Sequence, residues 1–351
     1  MSDSKKIIIP TGYMGSGSSV ITDLMSEIDD VDVSRGTFEY VFLHCPNGVF
    51  DLEDKLLIGN NAVRSDEALH SFESTMKQLY NKKYWWVGHY NESIGTDFLK
   101  ATKEYIDSLT EIKSEFYWYH QENTNFKMFF KLCFNRALKL LTLNKYKPKK
   151  VLAYSPMTLS FATPEEFYSA SKEYIYKLIN MAGYSEKSIL LDQLLLPFNL
   201  FRFENYFNDD AYVFVIERDP RDVFISNKYY WAKNGDVVPY PKDVKEFCKY
   251  YRRLRNIEKE ANSDRIHRFK FEDFIYNYDE SVNKVFDILG WDKKRHTSPK
   301  THFQPDKSIY NTQMFLKDPK YIPECDYIAK ELEEYLYDFP YELEHNQSEV
   351  F

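Results

Sequence analysis

Residues 7–19 read Ile7-Ile8-Ile9-Pro10-Thr11-Gly12-Tyr13-Met14-Gly15-Ser16-Gly17-Ser18-Ser19. The short apolar run ending at Pro10 has no polar alternation, as expected of a strand buried on both faces. The glycines and serines after it make a tight turn, and a helix is expected from about Val20. Such a joint aims free backbone N–H groups and the positive end of a helix dipole at one point, which is how a fold holds phosphate. The same grammar recurs at Tyr212-Val213-Phe214-Val215-Ile216-Glu217-Arg218-Asp219-Pro220-Arg221-Asp222-Val223-Phe224-Ile225-Ser226. There a second strand ends in a charged turn, Pro220 opens a helix, and Ser226 falls about two turns into it.

Outward from these joints, candidate strands are 6–10, 37–43, 150–154, 188–191, 212–217 and 265–271. Helical stretches alternate with them. Thr163-Pro164-Glu165-Glu166 is a capping box with proline at the first helical position, and the helix at 279–289 stops at Gly290. The expected fold class is α/β, a doubly wound parallel sheet with ligands at the carboxyl ends of its strands. Residues 51–149 break the alternation with helices at 64–81, 96–111 and 123–143 and the aromatic runs Tyr84-Trp85-Trp86 and Phe116-Tyr117-Trp118-Tyr119-His120. This stretch reads as a helical insertion in a single α/β domain spanning 1–351, covering an acceptor site, or as aromatics that form only its own core.

With 351 residues, 43% hydrophobic and 28% charged, the composition is that of an ordinary globular protein. The 29 tyrosines and 27 phenylalanines stand out, and aromatic surface suits sugar or adenine stacking as well as a thick core. A net charge of −8 argues against binding to nucleic-acid backbone. Cys45, Cys133, Cys248 and Cys325 are isolated, without the spacing of a metal site or disulfide frame. The first six residues lack an apolar signal region, and no run has the length of an integral membrane segment. A cytoplasmic location follows as the expectation.

The two joints together resemble the two cofactor-binding motifs of the sulfotransferase family, P-loop-like enzymes that use 3′-phosphoadenosine 5′-phosphosulfate. The resemblance, closest to carbohydrate-type bacterial members, implies that Gly12, Gly15, Ser16, Gly17, Ser18 and Ser19 cradle the 5′-phosphosulfate. It implies that Arg218 and Ser226 hold the 3′-phosphate, a task suited to the guanidinium's bidentate fork. A strand-end salt bridge between Arg218 and Asp222 is the alternative. Ser16-Gly17-Ser18-Ser19 matches the family's Ser-Gly-Thr-Thr, while Gly15 stands where many members carry a lysine; Lys228, Arg35 or Lys307 are the candidate substitutes.

Two later segments extend the resemblance, which covers roughly 5–50 and 185–310. Arg268-Phe269-Lys270-Phe271-Glu272-Asp273-Phe274 looks like the family's strand and Tyr-Glu-Asp-Leu turn, with Phe271 able to keep an adenine contact but no hydroxyl. Phe303-Gln304-Pro305-Asp306-Lys307-Ser308 resembles a late loop that folds over the cofactor. No metal is implied. The implied reaction moves a sulfuryl group to an acceptor hydroxyl on a small molecule or glycan, with a carbohydrate preferred. For the base, Glu39 and His44 lie on the second candidate strand, facing opposite ways if it is extended. Asp192, ending Ile189-Leu190-Leu191-Asp192, is the third candidate. Two other classes stay open. A P-loop kinase would need a substitute for the lysine that Ser18 replaces, and a non-catalytic relative would bind the nucleotide and transfer nothing.

Overall fold

A computed structural model describes residues 5–33, 39–81, 87–114, 126–143, 145, 157–233, 238 and 240–344. Its strands are β1 (Ile7–Gly12), β2 (Val31–Val33), β3 (Ile112–Ser114), β4 (Met157–Leu159), β5 (Ser188–Leu190), β6 (Ala211–Glu217) and β7 (Ile266–Lys270). Five form one parallel sheet in the order β2-β5-β1-β6-β7. The strand order therefore reverses at β1, with β2 and β5 on one side and β6 and β7 on the other, and the crevice beyond its carboxyl end is the switch point where open α/β sheets take ligands.

Both faces of this sheet are covered. Ile7, Ile9, Ile189, Val213 and Val215 feed one hydrophobic core, while Ile8, Leu190, Phe214 and Ile216 feed another on the opposite face. Successive side chains alternate faces, so the unbroken apolar runs are what a two-sided sheet requires. The expected doubly wound α/β class is borne out. Pro10 is tolerated in the centre because its carbonyl, and so its missing N–H, faces beyond the end of β5, where only Gln193 N–H reaches it at 3.1 Å.

The expected strand at 37–43 is corrected: of its described residues none is extended in a sheet, and the second strand is the shorter β2. Hydrogen bonds outside any sheet explain this. His44 and Cys45 N–H turn back to the Val41 carbonyl, at 3.1 and 2.8 Å, and Val41 N–H goes to the Tyr90 hydroxyl at 2.8 Å. Hence Glu39 and His44 do not lie on opposite faces of a strand. The candidate strand at 150–154 and both aromatic runs lie outside the described residues.

Helices Val49–Leu57, Ala62–Tyr80, Tyr90–Ser93, Phe98–Leu109 and Phe126–Leu141 fall between β2 and β5. Tyr105 stacks on Tyr174 of helix Pro164–Ile179, with ring centres 4.6 Å apart, and Phe72 meets both edge-on. Their hydroxyls are paired, Tyr105 with Ser171 and Tyr174 with Thr102, so these aromatics are structural core. The capping box on Thr163 forms as read, and helix Tyr278–Leu289 ends on Gly290 at φ 65°.

Candidate functional site

The β1 joint follows from two glycines. Gly15 and Gly17 adopt φ 83° and 81°, which turns the chain into helix Ser19–Ser26 within a few residues. Among the described residues, no acceptor takes the N–H groups of Gly15, Gly17, Ser18 or Ser19. The buried Ser16 hydroxyl is also without a partner. Backbone donors left open at a helix start, beside a buried hydroxyl, make an anion cradle. Close packing holds it in place: a Cβ at Gly17 would meet the Phe271 ring at 2.7 Å, and one at Gly12 would meet the Ser16 hydroxyl at 2.2 Å. Phe271 thus lies under the loop, and the Arg218 guanidinium sits 5.3 Å above its ring.

Because β6 pairs with β1 residue for residue, from Ile7 with Ala211 to Gly12 with Ile216, Arg218 emerges beside the loop. Its Nη1 donates to the Gly15 carbonyl at 3.1 Å, and its Nη2 donates to the Asn311 carbonyl and, at 3.6 Å, to the Met314 sulfur. Arg218 Nε is buried with no acceptor. No ion pair joins Arg218 to Asp222; the motif's other arginine, Arg221, pairs with Asp219 at 2.7 Å. Ser226 lies where helix Pro220–Ile225 passes into a wider π turn, Ser226–Trp231, and its hydroxyl donates to the same Met314 sulfur at 3.4 Å. Arg218 and Ser226 therefore converge, with a thioether between them.

The segment that brings Met314 there is fastened by carboxylates that sequence reasoning missed. Asp222 accepts the N–H groups of Gln313 and Met314 at 2.9 and 2.7 Å, and Gln313 itself is left-handed at φ 49°. Asp219 accepts Tyr337 N–H at 3.0 Å, and Glu272 accepts Asp219 N–H at 2.8 Å. Burial, then repulsion from Asp219, raises the Asp222 carboxyl above the usual range. Glu272 is pushed up to about 8, mainly by burial and then by its two acidic neighbours. The acids of Arg218-Asp219-Pro220-Arg221-Asp222 were visible as charges; that they clamp a segment ninety residues on was not.

A second group gathers at the carboxyl ends of β1 and β5. Gln193, left-handed at φ 55°, donates from Nε2 to the Ser18 hydroxyl at 3.1 Å. Tyr40 N–H donates to the Asp192 carbonyl at 2.9 Å, which sets the Glu39 stretch against that strand end. One Asp192 carboxylate oxygen is buried without a partner, and burial, with the Glu39 charge, pushes its pKa up to about 7. The His44 ring bonds the Gln193 carbonyl through Nε2 at 2.8 Å, so that nitrogen carries the proton, and burial pushes its pKa down. Glu39, His44 and Asp192 thus gather at one strand end, which the Gln193 side chain ties to Ser18 of the β1 loop.

The three candidate lysine substitutes have different surroundings. Lys228 is paired with Glu324, Lys307 is exposed on the short helix Pro305–Ser308, and Arg35 lies outside the described residues. No cluster of three metal-ligating side chains occurs among the described residues.

No family model matches the sequence, and no curated protein matches it. Two solved structures are similar in outline. A sulfotransferase domain from the curacin biosynthetic pathway aligns at 14% identity with a TM-score of 0.40, over 96% of this chain and 99% of that one. A sulfotransferase domain from the Synechococcus PCC 7002 olefin synthase aligns at 13% identity with a TM-score of 0.37, over 96% of both chains.

Proposed function

We infer that this protein is a sulfotransferase that moves a sulfuryl group from 3′-phosphoadenosine 5′-phosphosulfate to an acceptor hydroxyl. The observation that carries the reading is the contact of Arg218 with the Gly15 carbonyl, which joins the two phosphate-type joints into one site. Open N–H groups at Gly15, Gly17, Ser18 and Ser19, with the Ser16 hydroxyl, fit the 5′-phosphosulfate. The unpaired Arg218 Nε and the Ser226 hydroxyl fit the 3′-phosphate, once a phosphate oxygen replaces the thioether. Phe271 supplies a ring beside them for the adenine.

In the reaction the acceptor oxygen forms a new bond to sulfur as the sulfur–oxygen bond to the phosphate breaks. Adenosine 3′,5′-bisphosphate leaves, and the acceptor proton passes to a carboxylate. Asp192, with Glu39 beside it, suits that role better than His44. Its apparent pKa near 7 matches a base working at neutral pH, whereas the His44 Nε2 proton is committed to a carbonyl. Charge developing on the 5′-phosphate oxygen of the leaving group falls to the loop amides in place of a loop lysine. A glycan hydroxyl is the first acceptor class to screen, with small alcohols and phenols next. Residues 51–149 belong in this reading as the acceptor-side cover.

Calorimetric titration tests the site directly. Adenosine 3′,5′-bisphosphate should bind at least about tenfold tighter than AMP, a difference of about 1.4 kcal/mol. Equal affinities would remove the reading. One observation favours a second, kinase-like reading: Asp192 ends the strand beside β1, the position of a magnesium-holding acid in P-loop enzymes. Magnesium-dependent turnover of ATP would decide for it.

A further inference from the structure

Strands β3 and β4 pair antiparallel with Ser114 opposite Met157. The sequence between them includes helix Phe126–Leu141. At 100° per residue, Phe126, Phe129, Phe130, Phe134, Leu140 and Leu141 fall with Cys133 and Ala137 inside one arc of about 140° that holds no polar residue. All of this arc faces outward: Phe126 is 77% exposed, Phe130 59% and Leu141 81%. The half-buried residues Asn135, Leu138 and Thr142 lie on the opposite side. A helix that turns its apolar stripe to water and its mixed side to the protein has its partner elsewhere.

Charge says what that partner is. Lys131, Arg136 and Lys139 flank the arc or lie behind it, and the sequence adds Lys127, Lys145, Lys147, Lys149 and Lys150. No acidic residue interrupts 126–150, although the whole chain carries a net −8. A concentrated basic stretch on an acidic protein, wrapped around a Phe/Leu stripe, has the chemistry of an in-plane helix at an anionic bilayer surface. We propose that helix Phe126–Leu141 docks the protein on anionic lipid membranes, with the aromatic stripe at the headgroup–acyl boundary and the basic side chains on lipid phosphates. No helix among the described residues is long and apolar enough to cross a membrane, so this contact lies along the surface. The inference is independent of the catalytic reading.

Cys133 sits in the apolar arc and is exposed, whereas Cys45, Cys248 and Cys325 are buried, so a polarity-sensitive thiol fluorophore reports on this face selectively. The full chain, labelled there, is mixed with phosphatidylcholine vesicles with or without about 30 mol% phosphatidylserine. The expected result is flotation with the anionic vesicles and a blue-shifted emission, both lost at about 0.5 M NaCl. Joint substitution Lys127→Glu, Lys131→Glu, Arg136→Glu and Lys139→Glu should lower partitioning about tenfold or more. Phe130→Ser with Phe134→Ser should do the same while the melting temperature stays unchanged, because both rings are exposed. Absence of flotation, or equal association with neutral vesicles, overturns the proposal. A dimer dissolved by the Phe130 and Phe134 substitutions overturns it in favour of a second copy. A Cys133 that reacts only after denaturation overturns it in favour of cover by the chain itself.

Discussion

The Ser226 hydroxyl and the Met314 thioether meet at 3.4 Å, and the Arg218 guanidinium reaches the same sulfur. Two strong donors thus share a weak acceptor. The arrangement closes the 3′-phosphate side of the proposed site with an apolar side chain while leaving Arg218 Nε unpaired. A phosphate oxygen in that place would gain charge-assisted bonds that sulfur cannot supply.

Met314→Ala should therefore bind adenosine 3′,5′-bisphosphate several-fold tighter than the unaltered protein. Its fold should be weaker by about 2–4 kcal/mol, since a fully buried side chain is removed. Titration calorimetry and denaturant melts read the two effects separately. Unchanged affinity would place the phosphate elsewhere.

Arg218→Ala should lower bisphosphate affinity by roughly 1.5–3 kcal/mol, the scale of a charged hydrogen bond. AMP, lacking the 3′-phosphate, should lose far less. A variant equally impaired for both ligands would make Arg218 a fastener of Gly15 and Asn311 only.

Asp192→Asn should cut turnover about 10²–10⁴-fold with the donor's KM within a few-fold, and His44→Ala should not. In the unaltered protein the rate should rise with pH through an apparent pKa of about 7, where Asp192 ionises. A profile without that limb, or full activity in the asparagine variant, would move the base to Glu39.

Stability should run opposite to this activity limb. Asp192 and Glu272 have folded-state pKa values raised to about 7 and about 8 by burial, so between the unfolded carboxylate range and those values the native state holds the extra protons. Their favourable contribution is complete below pH of about 4 and is lost as pH rises through 7 to 8. The melting temperature should fall from pH 5.5 to 8.5, and Asp192→Asn should flatten part of that slope. A melting temperature rising over this window contradicts the assignment.

Gly17→Ala should weaken anion binding through geometry alone. A Cβ there stands 2.7 Å from the Phe271 ring on a backbone at φ 81°, so the loop must shift. Ligand titration should show the loss, and Phe271→Leu in the same background should restore part of it.

Local chemistry was enough for the elements that the sequence revealed. The Ile7–Ile9 and Tyr212–Ile216 runs have to be buried on both faces, Thr163 and Glu166 cap their own helix, and Gly290 can end one. The pairing of Arg218 with Ser226 was legible as well, because both sit within one strand–turn–helix unit of short range. Residues 39–43 were misread because their apolar content suits a strand, and only the distant Tyr90 hydroxyl and Asp192 carbonyl take their N–H groups into a turn. Met314 and Gln313 carried no signal, since what places them is Asp222, a carboxylate remote in sequence that caps their N–H groups. The outward stripe of helix Phe126–Leu141 has a period that the sequence contains in full. Which way it faces is not encoded in that pattern and shows only as exposure in the folded chain. Periodicity and capping act over a few residues and can be read from them; side-chain clamps and the orientation of whole elements depend on contacts that form only when distant segments meet.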